Sequence, residues 1–176
     1  TYFPPVIEQN MNILQIAESR GLYIGATAAW SRSIYKDFGP IIFKDSYEDL
    51  VFGFRAAIRD SLFYINEPLV MYRFGVGISS QKKYAFFDVK NKIKGRVKLL
   101  TINKSVYEQR MKDVDCVEGR DDLNFLKAIL LKNISLQEMK INLYKKPRAL
   151  LGSIFSENFF LAIKAIVGES RFLIKK

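Results

Sequence analysis

The side chains able to do chemistry in this sequence are mainly carboxylates, lysines and tyrosines. There is no histidine. That removes Ser-His-Asp and Cys-His arrangements and any His-ligated zinc site. One cysteine, Cys116, excludes an intrachain disulfide and a CxxC metal knuckle, and it fits a reducing compartment. Acid–base work therefore falls to Asp, Glu, Lys or Tyr. One acidic pair stands out by position. Glu48-Asp49 opens a predicted helix running from Ser46 to about Leu62, with Leu50, Val51, Phe54, Ala57 and Ile58 on one face. Ser46 is the expected N-cap and Asp49 its capping-box partner three residues on. A carboxylate at a helix N-terminus is favoured in its ionised form, which is the form a general base needs. The residues alone leave both readings of Asp49 open, helix cap and base.

The elements that must position this pair divide by texture. Residues 1–81 carry mixed strand and helix signals. Val6 to Arg20 shows a helical stripe ended by Gly21. Leu22 to Ser31 predicts a buried strand whose Gly25-Ala26-Thr27 lets a ligand or backbone come close. Ser33 to Phe38 predicts a helical turn, stopped by Gly39-Pro40. Phe63 to Ile65 and Leu69 to Arg73 predict two short strands around the Asn66-Glu67-Pro68 turn. Residues 82–176 predict only helices: Lys83 to Leu100, Asp121 to Lys132, Ser135 to about Lys145 with a Ser135/Glu138 capping box, and Ser156 to about Lys175. The expected class is α/β, in two parts divided at position 81. No window of about 18 uninterrupted apolar residues exists. No signal peptide is visible at the start, and the absence of an initial Met predicts an excised piece.

The order of small motifs from Gly21 to Ser80 resembles the second half of the GT-A domain in family 2 glycosyltransferases. Its elements are Gly25-Ala26-Thr27, Ser31-Arg32, Phe38-Gly39-Pro40, Glu48-Asp49, Glu67-Pro68-Leu69 and Tyr72-Arg73. The ordered set carries the resemblance, because each motif alone is common. It implies a partial GT-A-like mixed sheet with flanking helices over residues 1–81, followed by a helical extension over 82–176. It further implies the C-terminal, acceptor-side part of an inverting sugar transferase, without the nucleotide-binding half.

In that reading Asp49 is the base that takes a proton from the acceptor hydroxyl. Glu48 hydrogen-bonds the acceptor sugar, and Arg73 reaches the diphosphate or clamps a carboxylate. Trp30 offers an aromatic face to a sugar ring, and Thr27 a ligand contact. The donor is a nucleotide sugar, and the acceptor a saccharide or lipid-linked sugar in bacterial cell-surface polysaccharide synthesis. A divalent metal, Mg or Mn, is expected in the parent enzyme with its ligands outside this chain. Asp113-Val114-Asp115 has the spelling of the family's metal motif but follows the acidic pair, whereas the motif precedes it. It is assigned instead to an acid cluster with Glu118, in a loop or helix start. The expected location is cytoplasmic, peripheral on the inner face of the cell membrane.

Charge supplies a rival. Net charge is +10, and it is concentrated. Residues 1–81 hold 7 basic and 8 acidic side chains, whereas residues 82–112 hold 10 basic and 2 acidic. Such a segment suits a non-enzymatic basic module for anionic membrane or nucleic acid. Nucleic acid is disfavoured, because few aromatics interleave with the charges and no recognisable RNA or DNA module is present. The apolar stretch Phe159 to Val167, followed by Arg171, Lys175 and Lys176, fits an anionic bilayer surface.

Overall fold

The computed structural model describes residues 12–20, 25–63, 65, 67–71, 89–145 and 159–174. Among these, the regular structure is helical: α1 (Ile13–Glu18), α2 (Arg32–Phe38), α3 (Glu48–Ile58), α4 (Val89–Val114), α5 (Leu123–Lys145) and α6 (Phe159–Ile174), with a 3-10 turn at Gly25–Thr27. The described residues contain no strand. The expected mixed sheet, and with it the α/β class, is therefore corrected to an all-helical fold. The physical reasons differ by segment. Gly25-Ala26-Thr27 lacks the side chains that pack a pleat, and it closes on itself through the Ala28 N–H to the Gly25 carbonyl at 3.2 Å. Phe63, Ile65 and Leu69–Met71 belong to no regular element, and their side chains are exposed. Two short strands without a covering face are marginal at best in water. Tyr64, Tyr72 and Arg73 of those predicted strands lie outside the described residues, as do residues 6–11 of the first predicted helix and 83–88 of the fourth.

The framework is the antiparallel pair α4 and α5. Their cross-links run in opposite sequence order: Lys104 to Glu138 at 3.3 Å, and Lys127 to Asp115 at 2.6 Å. α4 has 26 residues and spans about 39 Å at 1.5 Å per residue. α5 is continuous through Ser135. The predicted break there, with a Ser135/Glu138 capping box, is corrected. Ile134 and Leu136 pack inward on either side of Ser135, so the burial gained by carrying the helix on outweighs a local cap.

α1, α2 and α3 pack against one end of this pair and share one core with it. That core joins Ile13, Ile16, Ala17, Phe38, Phe54 and Ile58 to Tyr107, Val114, Leu126 and Leu130. α3 is buried around almost its whole circumference, from Leu50 to Ile58. A helix enclosed this way is apolar on all faces or pairs its polar groups internally. Arg55 takes the second course. Its Nε and Nη2 donate to both oxygens of Asp113 at 2.8 and 2.9 Å, and its Nη1 donates to the Gly39 carbonyl at 2.8 Å. Gln109 completes the set by donating to Asp113 at 2.9 Å and accepting from the Ile42 N–H at 2.8 Å. Asp113 is thus a buried residue near the end of α4, not part of a loop acid cluster.

Two further arginines close helix C-termini. Arg110 Nη1 donates to the carbonyls of Ile16, Ala17 and Ser19, and Nη2 to that of Leu50. Arg120 donates to the Ile58 carbonyl at 3.1 Å. At the ends of α1 and α3 these cations satisfy orphan carbonyls and meet the negative end of the helix dipole, whereas the Leu50 carbonyl that Arg110 also holds lies in the first turn of α3.

Candidate functional site

The acidic pair lies at the start of α3, as its sequence position predicts. The cap does not match the expectation. Tyr47 is the N-cap residue and its side chain makes no capping bond. Ser46 stands one residue too early, and its buried hydroxyl finds no partner. Asp49 supplies the cap itself: Oδ1 accepts from the Leu50 N–H at 2.8 Å. The capping box of Ser46 and Asp49 is therefore corrected to a single carboxylate at the second helical position.

The other oxygen does something a cap does not require. Asp49 Oδ2 accepts from the N–H of Gly25, 24 residues earlier, at 3.2 Å. This bond ties the small-residue turn to the acidic pair. A Cβ placed on Gly25 would lie 3.4 Å from Asp49 Cβ and 3.8 Å from oxygens of both Asp49 and Glu48. These are ordinary van der Waals distances, so both acidic side chains lie directly beside the Gly25 backbone. Asp49 is half-buried, whereas Glu48 is exposed. The result is one restrained carboxylate and one free to reach a ligand, beside an exposed turn.

The other predicted site residues are placed as follows. Thr27 is exposed at the end of the 3-10 turn. Trp30 is half-buried, with its ring 5.5 Å from that of Phe52 and tilted by 41°. It packs on the edge of the core. Arg73 lies outside the described residues. Among the described residues no group of three or more Cys, Asp or Glu side chains is arranged to hold a metal. The acidic pair itself offers only two carboxylates, one half-buried and one exposed. No step is assigned to the expected divalent ion.

The residues missed at the sequence level are those that hold the start of α3 in place. Arg110 grips the Leu50 carbonyl next to Asp49, while its other nitrogen holds the end of α1. Arg55 anchors the same helix one turn further on. An arginine directly after Phe54 on an otherwise apolar helix was the available signal. Its partner is 58 residues away, where no local pattern points.

A second charged cluster joins α4, α5 and α6. Glu169 is fully buried, and Arg96 grips it with two bonds of 2.7 and 2.8 Å. The Tyr144 hydroxyl donates to it at 2.9 Å, and the Lys140 ammonium stands 3.6 Å away. Burial pushes the Glu169 carboxyl up. The hydrogen bonds from Arg96 and Tyr144 and the nearby cations outweigh burial, so it titrates below its ordinary range. Burial, the hydrogen bond to Glu169 and its charge push Tyr144 up to about 12. Burial lowers Lys140, against the pull of Glu169, and Arg20 and Arg96 add repulsion.

Comparison with family models, with curated proteins and with solved structures finds no match. The functional reading therefore rests on the motif order and on the geometry around Asp49.

Proposed function

We propose that this chain carries the acceptor-side part of an inverting sugar transferase of bacterial cell-surface polysaccharide synthesis. The observation that carries the reading is the Asp49–Gly25 bond, which joins two of the ordered motifs across 24 residues. Helix capping alone does not call for it, since Leu50 already meets that need. The proposal concerns the transfer chemistry and not the sheet, which the described residues lack.

In the step, the acceptor hydroxyl oxygen attacks the anomeric carbon of a nucleotide sugar. The bond from that carbon to the diphosphate breaks, and the nucleoside diphosphate leaves with the electron pair. The hydroxyl proton passes to Asp49, whose bonds to Gly25 and Leu50 fix the carboxylate plane. Glu48, exposed beside it, hydrogen-bonds the acceptor sugar. The neighbouring Gly25–Thr27 turn is exposed at Ala26 and Thr27. Donor binding and any metal are contributions of the protein that carries this chain.

The test is Asp49→Asn in that intact protein, assayed for transfer from nucleotide sugars. Loss of a positioned base lowers turnover by about 10²–10⁴-fold. The fold persists, because an amide oxygen keeps one of the two backbone bonds, at a cost of about 1 kcal/mol. Unchanged turnover in a folded variant overturns the assignment. Glu48→Gln should weaken acceptor KM more than kcat.

A further inference from the structure

We propose that residues 63–71, which follow α3, hold two copies of this chain together across a two-fold axis. The inference does not depend on the sugar-transfer reading and uses neither Glu48 nor Asp49.

Five large apolar side chains stand in solvent within this short stretch. Phe63 is 87% exposed, Ile65 63%, Leu69 65%, Val70 47% and Met71 102%. Leu69, Val70 and Met71 are consecutive, and none of them is turned onto the helices. The Leu69 N–H bonds the Glu67 carbonyl at 2.9 Å across Pro68. The backbone groups of Phe63, Ile65, Val70 and Met71 make no hydrogen bond among the described residues. Aromatic and β-branched side chains beside open main-chain groups are a template for pairing with another chain.

Area, symmetry and charge favour a second copy of this chain as the occupant. At about 200 Å² for a fully exposed large apolar residue, these five present roughly 700 Å² per copy. Two copies bring roughly 1,400 Å² together, within the range of about 1,200–2,000 Å² for a stable interface. A two-fold contact sets the same stretch against itself, so both sides are equally apolar and equally rich in open main-chain groups. Charge does not oppose the contact. The chain is +10 overall, yet residues 59–71 hold one basic and two acidic side chains. Of these, Arg59 is paired with Asp37 and Asp60 with Arg120. The stretch also lacks the lysines by which an anionic bilayer would hold it. On α5, the exposed Phe125 and Leu131 present only roughly 250 Å² by the same measure.

The experiment is sedimentation equilibrium of the purified 176-residue chain over a concentration series. A monomer–dimer equilibrium is expected, with a Kd of about 100 µM or tighter. Phe63→Asp with Met71→Asp should weaken it at least about tenfold, and so should Leu69→Asp with Val70→Asp. These side chains are exposed in the single chain, so helical circular dichroism should stay unchanged. Phe125→Asp with Leu131→Asp should leave the dimer intact. Weakening by either of the first two pairs, with helical content kept, supports the proposal. A chain that is monomeric at about 100 µM overturns it. So does an open-ended assembly, a dimer that survives both pairs, or one that only the α5 pair disrupts.

Discussion

At the scale of single residues, the interior of this protein depends on a few charges with complete partner sets. Arg55 and Asp113 are both fully buried, and each has its partners arranged in geometry that a single substitution destroys. Arg55→Met should cost about 3–5 kcal/mol, because it leaves the Asp113 carboxylate uncompensated in the core. The double variant Arg55→Met with Asp113→Leu should recover most of that loss, since two apolar groups of similar size need no partners. Chemical denaturation of the two variants checks this, through a large shift of the midpoint in the first and a small one in the second. A similar fall in both would place the stability in the other bonds of Arg55, to Gly39 and against the rings of Phe38 and Phe52. Asp49 belongs to a different class. It is half-buried, and its two hydrogen bonds orient it without enclosing it, which is compatible with the proposed role.

At the scale of elements, local propensity and tertiary packing disagree at identifiable places. Gly95 lies inside α4, and nothing stands within 4 Å of where its Cβ would be. Gly95→Ala should therefore stabilise the protein by about 1 kcal/mol, by lowering the entropy lost when the helix forms. A rise in Tm of about 2–4 °C is the expected readout. Ser135 tests the continuity of α5. A capping serine loses about 1 kcal/mol on replacement by alanine. In the middle of a helix, Ser135→Ala should instead be neutral or stabilising by up to about 0.5 kcal/mol. A clear drop in Tm would mean that the helix breaks at Ser135. Gly25 makes the opposite point. In a strand it would be a weakness, whereas in the observed 3-10 turn its backbone N–H is free to bond Asp49.

At the scale of the whole molecule, α6 is held by a cluster whose titration sets a pH window. Glu169 titrates lower in the folded protein than in the unfolded chain, where a glutamate has a pKa of about 4.3. Its contribution is therefore fully present above that value and is lost as pH falls through the folded one. Tyr144 is raised to about 12. Its contribution is present below the ordinary tyrosine value of about 10 and is lost as pH rises through the folded value. Hydrogen-exchange protection of α6 should hold a plateau between these limits and fall on both sides. Glu169→Gln should lower the plateau, because Arg96 loses its counter-charge, and should abolish the acid limb attached to this site. An acid limb unchanged in that variant would assign the acid sensitivity to other carboxylates.

The sequence by itself determined the features that depend on near neighbours. The missing histidine and single cysteine restricted the chemistry. Helical periodicity placed α2, α3 and α6 close to where they lie, and the position of Glu48-Asp49 marked the start of α3, but the helix expected to end at Leu100 continues to Val114 as α4. Short-range signals went wrong in three places: a strand was expected over Leu22 to Ser31, a cap at Ser46 and a break at Ser135, and at the last of these the burial of Leu136 outweighs the local signal. Only the tertiary structure decided the rest. It joined Gly25 to Asp49, sent Arg55 to a partner 58 residues away, and gathered Arg96, Lys140, Tyr144 and Glu169 at one end. Those pairings are set by which helix faces meet when the apolar surface closes. That is a property of the whole chain, and no local spacing encodes it.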